Sequence, residues 1–273
     1  QTLGIGKMHW AHQRILHGFH RTILDESGRA ESPAFISDYR AWFASEAPNL
    51  HPDTTGIGFN DYTGGSYKLP ERLHPTTWTA DVATRFLDTY SKSDPFFLKV
   101  SFARPHSPYD PPQRWWDFFA KRELPRPTVA PWAANYAGRN SDKADIWRGR
   151  LPEDAVRQSR QGYYGSVAFV DEQIGRIIES LEKRKLLDET LIVYISDHGD
   201  MTGDHNLWRK SYAYEPSARI PMILRGPGAA RGKVESAPAE IRDVLPTFVE
   251  AGGGAVPPQV EGQNLLNLKR EFI

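Results

Sequence analysis

Cysteine is absent from all 273 residues, which excludes disulfide bonds, thiol nucleophiles and zinc–thiolate sites. That absence leaves the cellular compartment open, since cytosolic and periplasmic chains can both do without cysteine. An excess of either charge is missing as well. Lys and Arg together number 34, as do Asp and Glu, for a formal net charge of zero. A nucleic-acid surface needs a basic excess, so no nucleic-acid partner is expected. No apolar run approaches the ~20 residues that cross a membrane, and no signal peptide is recognisable. The first residue is Gln rather than Met, so the chain is expected to be processed, trimmed or partial. Internal repeats and heptads are also absent. Aromatic side chains, by contrast, abound, with 8 Trp, 11 Tyr and 13 Phe. Several stand in polar company: Trp115, Trp116, Trp132, Trp147, Trp208, Tyr212 and Tyr214. Core packing accounts for most such rings, although a cleft for a carbohydrate or aryl ligand uses the same combination of ring faces and polar rim.

The length suits one large domain, or one large and one small, with ample core. Thr2 to Trp10 reads as a strand end or loop closed by Gly6-Lys7-Met8-His9. From 25 to 75 the chain is rich in Gly, Pro, Ser and Asp, an excursion long enough to be a functional loop, with a short helix near Ser37 to Ser45. Helical periodicity returns from Thr76 to Tyr90, with Thr76 or Thr77 as N-cap and Trp78, Val82, Phe86 and Tyr90 on one stripe. A buried strand is predicted from Phe96 to Phe102, running into Arg104-Pro105-His106-Ser107-Pro108. A helix follows Pro111-Pro112, and the longest helix is predicted from about Glu153 to Leu187. It leads into Leu191 to Ile195, read as a strand buried on both faces, so a strand–helix–strand unit with parallel pairing is expected. Ile220 to Arg225 reads as another strand, and Ile241 to Ala251 as an amphipathic helix. The fold class is therefore α/β, a mostly parallel sheet sandwiched by helices.

The stretch Ser196-Asp197-His198-Gly199-Asp200, continuing to Gly203-Asp204-His205, places carboxylates and imidazoles at the carboxyl end of a strand, where open α/β sheets put their sites. Gly199 and Gly203 are expected to let the backbone turn under a ligand. A plain reading remains, in which the Asp residues cap a following helix. Three sequence-distant clusters, Lys7/His9, His106 and Asp197/His198/Lys210, are expected at one sheet edge. Carboxylate and imidazole donors suit a divalent cation. Surplus Lys and His around it suit an anionic tetrahedral group, a sulfate or phosphate ester alike.

Gly6-Lys7-Met8-His9-Trp10, Ser101 to Tyr109, Ser196 to Asp200, Gly203 to Lys210 and Tyr214 to Pro221, in this order, resemble the later motifs of the formylglycine-dependent sulfatases of the alkaline phosphatase superfamily. The resemblance implies that Asp197 and His198 bind a metal, with Ca2+ expected and Mg2+ or Mn2+ as alternatives. Many sulfatases have Asn beside that Asp; His198 matches an alternative found in family members and in related phosphonate monoester hydrolases. The resemblance further implies that Lys7 and Lys210 bind sulfate oxygens, that His9 sits beside the nucleophile, and that His106 serves the leaving oxygen. Arg104, the basic group of the same loop, is expected to bind substrate.

The resemblance also implies a formylglycine nucleophile, made from Cys or Ser in a Cys/Ser-x-Pro-x-Arg motif. No such motif occurs among these residues, so it is expected upstream of Gln1, together with an earlier strand bearing an Asp-Asp pair. The C-terminal subdomain is likewise expected to be cut short. On this reading residues 1–273 are a partial sulfatase catalytic domain with a loop insertion at 25–75, incomplete for activity alone. The implied function is hydrolysis of a sulfated carbohydrate or aryl sulfate in the periplasm or outside the cell. A phosphonate or phosphodiester hydrolase of the same superfamily, or a non-catalytic binder of sulfated glycans, are the alternatives.

Overall fold

The computed structural model describes residues 1–91, 94–133, 136 and 148–271; Trp147 lies outside them. The chain divides into two compact units, Gln1–Ser180 with Asp200–Arg209, and Leu181–Gly199 with Lys210–Ile273.

The first unit is built on three parallel strands in the order β2-β1-β3, where β1 is Thr2–Gly6, β2 Arg21–Leu24 and β3 Phe97–Ser101. The central β1 registers Leu3 on Arg21 and on Leu98, and Gly6 on Leu24 and on Ser101. Parallel strands end together, so the segments after Gly6, Leu24 and Ser101 leave the same edge of the sheet. Sequence reasoning missed β2, whose four residues begin with an exposed Arg and follow a His- and Gly-rich run.

Two helices come before β3. Helix α1 (Asp38–Glu46) is capped by Ser37, whose hydroxyl accepts from the Arg40 amide at 3.3 Å. Helix α2 (Pro75–Thr89) starts earlier than predicted: its N-cap is His74, whose Nδ1 accepts from the Thr76 amide, and Pro75 fills the first turn. Proline suits that position, where its missing N–H costs nothing. Tyr39 and Phe43 of α1 pack with Leu73 and Trp78. Ala83, Val82 and Phe86 of α2 cover Leu3 and Ile5 of β1 together with Leu98 and Val100 of β3. Helix α3 (Gln113–Ala120) and the 31-residue α4 (Glu153–Lys183) follow.

In the second unit β4 (Ile192–Ile195) pairs with β5 (Met222–Arg225). Here the sequence expectation fails in two respects. The ladder of β4 is with β5 instead of the β3 expected from the strand–helix–strand unit, and it is antiparallel, with Ile192 opposite Arg225 and Ile195 opposite Met222. The cross-strand pair Tyr194 and Ile223 is 37% and 60% exposed, so β4 is not buried on both faces. An apolar run reports that a strand forms; it does not report which neighbour it takes or whether both faces are covered. The short α5 (Glu215–Ala218) precedes β5, and a 3-10 turn, Ile241–Asp243, leads into α6 (Val244–Ala251). The buried Asp243 carboxylate joins this end of the unit, accepting from both Nη atoms of Arg270 at 2.9 Å and from the amides of Glu240 and Gln263. Among the described residues no helix is long and apolar enough to cross a membrane. The molecule is an α/β protein with a parallel sheet flanked by helices.

Candidate active site

In the first unit the residues singled out from the sequence follow β1 and β3. Gly6 takes φ +90°, and a Cβ there would lie 2.0 Å from the Ser101 carbonyl oxygen. Only glycine permits this approach, which lets the Lys7 amide donate to that oxygen at 2.9 Å. Lys7 and the loop after β3 therefore start side by side. The exposed His9 has φ 58°. Its amide and that of Met8 donate to Oε1 of the buried Glu26 at 3.1 and 2.9 Å. A non-glycine residue held in the left-handed region by a buried carboxylate is the kind of local strain that clusters at functional sites.

After β3, His106 sits half-buried with Nδ1 3.0 Å from the Ser107 carbonyl oxygen. A carbonyl only accepts, so Nδ1 carries the hydrogen in this contact. Arg104 is placed differently from a residue waiting for an anion. It is buried, its Nε donates to Asp110 Oδ1 at 2.7 Å, and its Nη1 donates to the Ser27 hydroxyl at 3.2 Å. Burial opposes its charge, but the Asp110 carboxylate and the nearby Asp25 outweigh that and raise its pKa.

The second unit brings Asp197, His198 and Lys210 together. The His198 ring is held from both sides, with Nδ1 2.7 Å from the Gly199 carbonyl oxygen and Nε2 2.9 Å from the Lys210 ammonium. Nδ1 therefore donates and Nε2 presents its lone pair. Asp197 Oδ2 lies 3.6 Å from that same Nε2, with the Asp197 side chain 74% exposed. Gly199 is demanded less by a sharp turn than by packing: a Cβ on it would lie 2.1 Å from the Pro216 carbonyl oxygen. Gly203 does take a left-handed φ of +96°.

Several polar residues between Gly199 and Lys210 are hydrogen-bonded within the first unit. Asp200 accepts from the Tyr109 hydroxyl at 2.6 Å and the Thr202 amide at 2.9 Å. Asp204 accepts from the Thr128 amide, and His205 Nδ1 from the Ala130 amide. Arg160 Nη1 donates to the carbonyl and the hydroxyl of Thr202. Trp208 is buried, stacks on Tyr62 and donates Nε1–H to the Gly149 carbonyl. These bonds fix Asp200–Arg209 within the first unit.

A metal would find a partial donor set in Asp197 Oδ2 and His198 Nε2. The imidazole tautomer fixed by an Nδ1–H bond to a backbone carbonyl is the second-partner arrangement that metal-ligating histidines use, although the Nε2 lone pair here accepts from Lys210. Among the described residues no group of three or more His, Cys, Asp or Glu side chains is disposed to hold an ion, so the pair supplies two ligands.

The sulfatase family model matches residues 13–254. An arylsulfatase of Clostridium perfringens is 36% identical, over 99% of this chain and 60% of its own length. The fold is also that of a phosphonate monoester hydrolase of Agrobacterium radiobacter (TM-score 0.75, 22% identity, 97% of this chain and 58% of that one). It matches too a structure solved with D-glucosamine-2-N,6-O-disulfate as substrate (TM-score 0.66, 24% identity, 97% and 61%). The chain thus spans about three-fifths of the length of these proteins.

Proposed function

Since this chain belongs to the sulfatase family, we propose that the protein carrying it hydrolyses sulfuric esters, with a sulfated carbohydrate or an aryl sulfate as substrate. The observation that carries this reading is the Asp197–His198–Lys210 cluster, in which an ammonium and a metal-competent imidazole and carboxylate lie within 3.6 Å of His198 Nε2. Asp197 and His198 hold a divalent cation, calcium by family resemblance with magnesium or manganese as alternatives. When bound, that cation neutralises charge on the ester oxygens. Lys210, beside His198, binds the anionic group and favours the extra charge of its transition state; Lys7, within the first unit, is assigned to sulfate oxygens by family resemblance. His9, on its strained backbone, borders the position of the nucleophile. A formylglycine is expected there by resemblance, and no residue among these 273 supplies it. His106 uses Nε2 to hold a proton for the departing oxygen, because Nδ1 is occupied by the Ser107 carbonyl. The fold shared with a phosphonate monoester hydrolase supports a second reading, hydrolysis of phosphonate or phosphodiester bonds.

The test compares 4-nitrophenyl sulfate with 4-nitrophenyl phenylphosphonate on the full-length protein. A kcat/KM that favours the sulfate supports the first reading, and a reversed preference replaces it with the second. His106→Ala should lower kcat by about 10²–10⁴-fold on a sugar sulfate, the usual span of general-acid catalysis. It should cost far less on an aryl sulfate, whose leaving group needs no proton. Equal losses on both would remove His106 from that role.

A further inference from the structure

Within the first unit, the loop that carries His106 and the 25–75 excursion enclose a cavity of about 270 Å³. Its walls include Asp25, Ser27, Tyr39, Arg40, Phe59 and Arg104. Asp25 is the first residue after β2, so the sheet edge that presents Lys7 and the His106 loop presents this carboxyl as well. None of the sulfatase motifs in the sequence includes it.

The charges in the cavity are matched in a way that disfavours an anion. Arg40 Nη2 donates to both oxygens of Asp53, at 2.9 and 2.7 Å, and Arg104 is paired with Asp110 at 2.7 Å. Both guanidinium groups thus have a carboxylate of their own before Asp25 is counted. Asp25 is 2% exposed, and its Oδ1 accepts from the Ser27 amide at 3.1 Å. Burial pushes its pKa up against that bond and the nearby guanidinium groups of Arg104 and Arg40. A buried carboxyl needs partners for both oxygens, and ligand hydroxyls supply them whichever protonation state it holds. A ring also lines the cavity: Phe59 is 42% exposed, beside a glycine, Gly28, where a Cβ would come within 3.4 Å of its edge. Polar groups that both donate and accept, set against an aromatic face, suit a hydroxylated ring with one apolar side. The volume, just under the ~300–1,000 Å³ of typical ligand pockets, suits one such ring rather than a chain of them.

We propose that this cavity is a subsite for a neutral sugar ring, holding an unsulfated unit of the substrate through Asp25, Ser27 and the ring of Phe59. The proposal rests on the reading of the substrate as a sulfated carbohydrate, and it makes the binding partner a saccharide in which the sulfated unit has an uncharged neighbour.

The test is saturation-transfer NMR on the full-length protein with the methyl glycosides of glucose, galactose, mannose and N-acetylglucosamine, each alone. At least one should bind saturably, and millimolar inorganic sulfate should not displace it. Asp25→Asn and Phe59→Ala should each weaken that binding about tenfold or more, the usual loss for a buried hydrogen bond to a charged group or an aromatic contact. Circular dichroism identifies a variant that fails to fold, and Phe59→Ala with Ser27→Ala decides the matter if Asp25→Asn does. All variants should keep wild-type kcat/KM on 4-nitrophenyl sulfate, which has no second ring to bind. No saturable glycoside binding, displacement by sulfate, or equal affinity in folded variants would overturn the proposal. Loss of aryl sulfate turnover in the wild type alongside variant-sensitive glycoside binding would instead overturn the sulfatase reading and leave the subsite standing.

Discussion

His74 shows how one buried side chain ties stability to pH. It has no exposed surface, its Nδ1 accepts from Thr76 N–H at 3.1 Å, and its Nε2 lies 3.2 Å from the Asp110 carbonyl oxygen. The ring is therefore the neutral Nε2–H tautomer, and burial holds its pKa below the ordinary 6.5 although the Asp110 carboxylate works the other way. The unfolded chain takes up this proton first, so His74 contributes fully above about pH 6.5 and its contribution falls on acidification, by up to ~1.4 kcal/mol per pH unit. Asp110 behaves differently. Arg104 and His74 hold its pKa down against burial, so its contribution persists until the pH drops below its unfolded value of 3.8. Asp25 has the opposite sign, because a raised carboxyl pKa costs stability as pH rises from 3.8. The comparison of wild type with His74→Asn isolates the histidine. Urea unfolding at pH 5 and pH 7 should show a smaller pH difference in the variant, by about one proton's worth. An unchanged difference would mean that His74 is charged in the native state. None of this was legible in the sequence. His74 stood as one of nine histidines, and Asp25 and Glu26 lay in a polar stretch without a strand pattern to mark them. Lys7, His9 and His106 could be singled out because Gly-Lys-x-His and Pro-His-x-Pro are written contiguously, and the roles proposed for them rest on family resemblance.

Elements were legible where hydrophobic pattern and punctuation agree. Helix α1 is marked by Ser37, α4 by its long stripe of Val and Ile, and β3 and β5 by apolar runs that end at polar or glycine residues. Neighbour choice was not legible, as the antiparallel β4–β5 ladder shows, because cross-strand pairing is settled by chain segments far apart in sequence. Strands β1 and β3 approach closely at Gly6. There the positive φ and the contact with Ser101 act together, so Gly6→Ala must shift either β1 or β3. Backbone strain of this sort costs about 1–3 kcal/mol, and the displaced β3 end carries the His106 loop with it. The variant should lose stability in that range by denaturant titration and should also lose affinity for anionic esters. Gly18, with φ +89° and open space around its Cβ position, provides the control: Gly18→Ala pays a backbone cost with no strand to move. Equal losses in both variants would show that the β1–β3 contact contributes nothing beyond φ.

At the scale of the whole molecule, an ion that binds the folded chain and not the unfolded one stabilises it by mass action, about 2.7 kcal/mol at a hundred times its Kd. The donors in hand are Asp197 Oδ2 and His198 Nε2, 3.6 Å apart. A calcium ion takes about six to eight oxygen ligands, so two protein donors leave most of its sphere to water or to other groups, and weak, concentration-dependent binding is expected. The imidazole donor suits a transition ion better than calcium, which makes manganese the informative comparison. Lys210 has a stake in the outcome. Its ammonium now bonds the lone pair a metal would use, at 2.9 Å, so an arriving ion must displace it from His198. Lys210→Ala should therefore tighten ion binding, while Asp197→Ala should abolish it. Thermal melts in a chelator and then in rising calcium or manganese provide the readout, independent of any turnover. The wild type should gain melting temperature with ion concentration, Lys210→Ala should gain it at lower concentration, and Asp197→Ala should stay at the chelated value. Identical shifts in all three proteins would place the ion elsewhere, and a Lys210→Ala curve displaced to higher concentration would mean that the ammonium supports the ion site instead of competing for it.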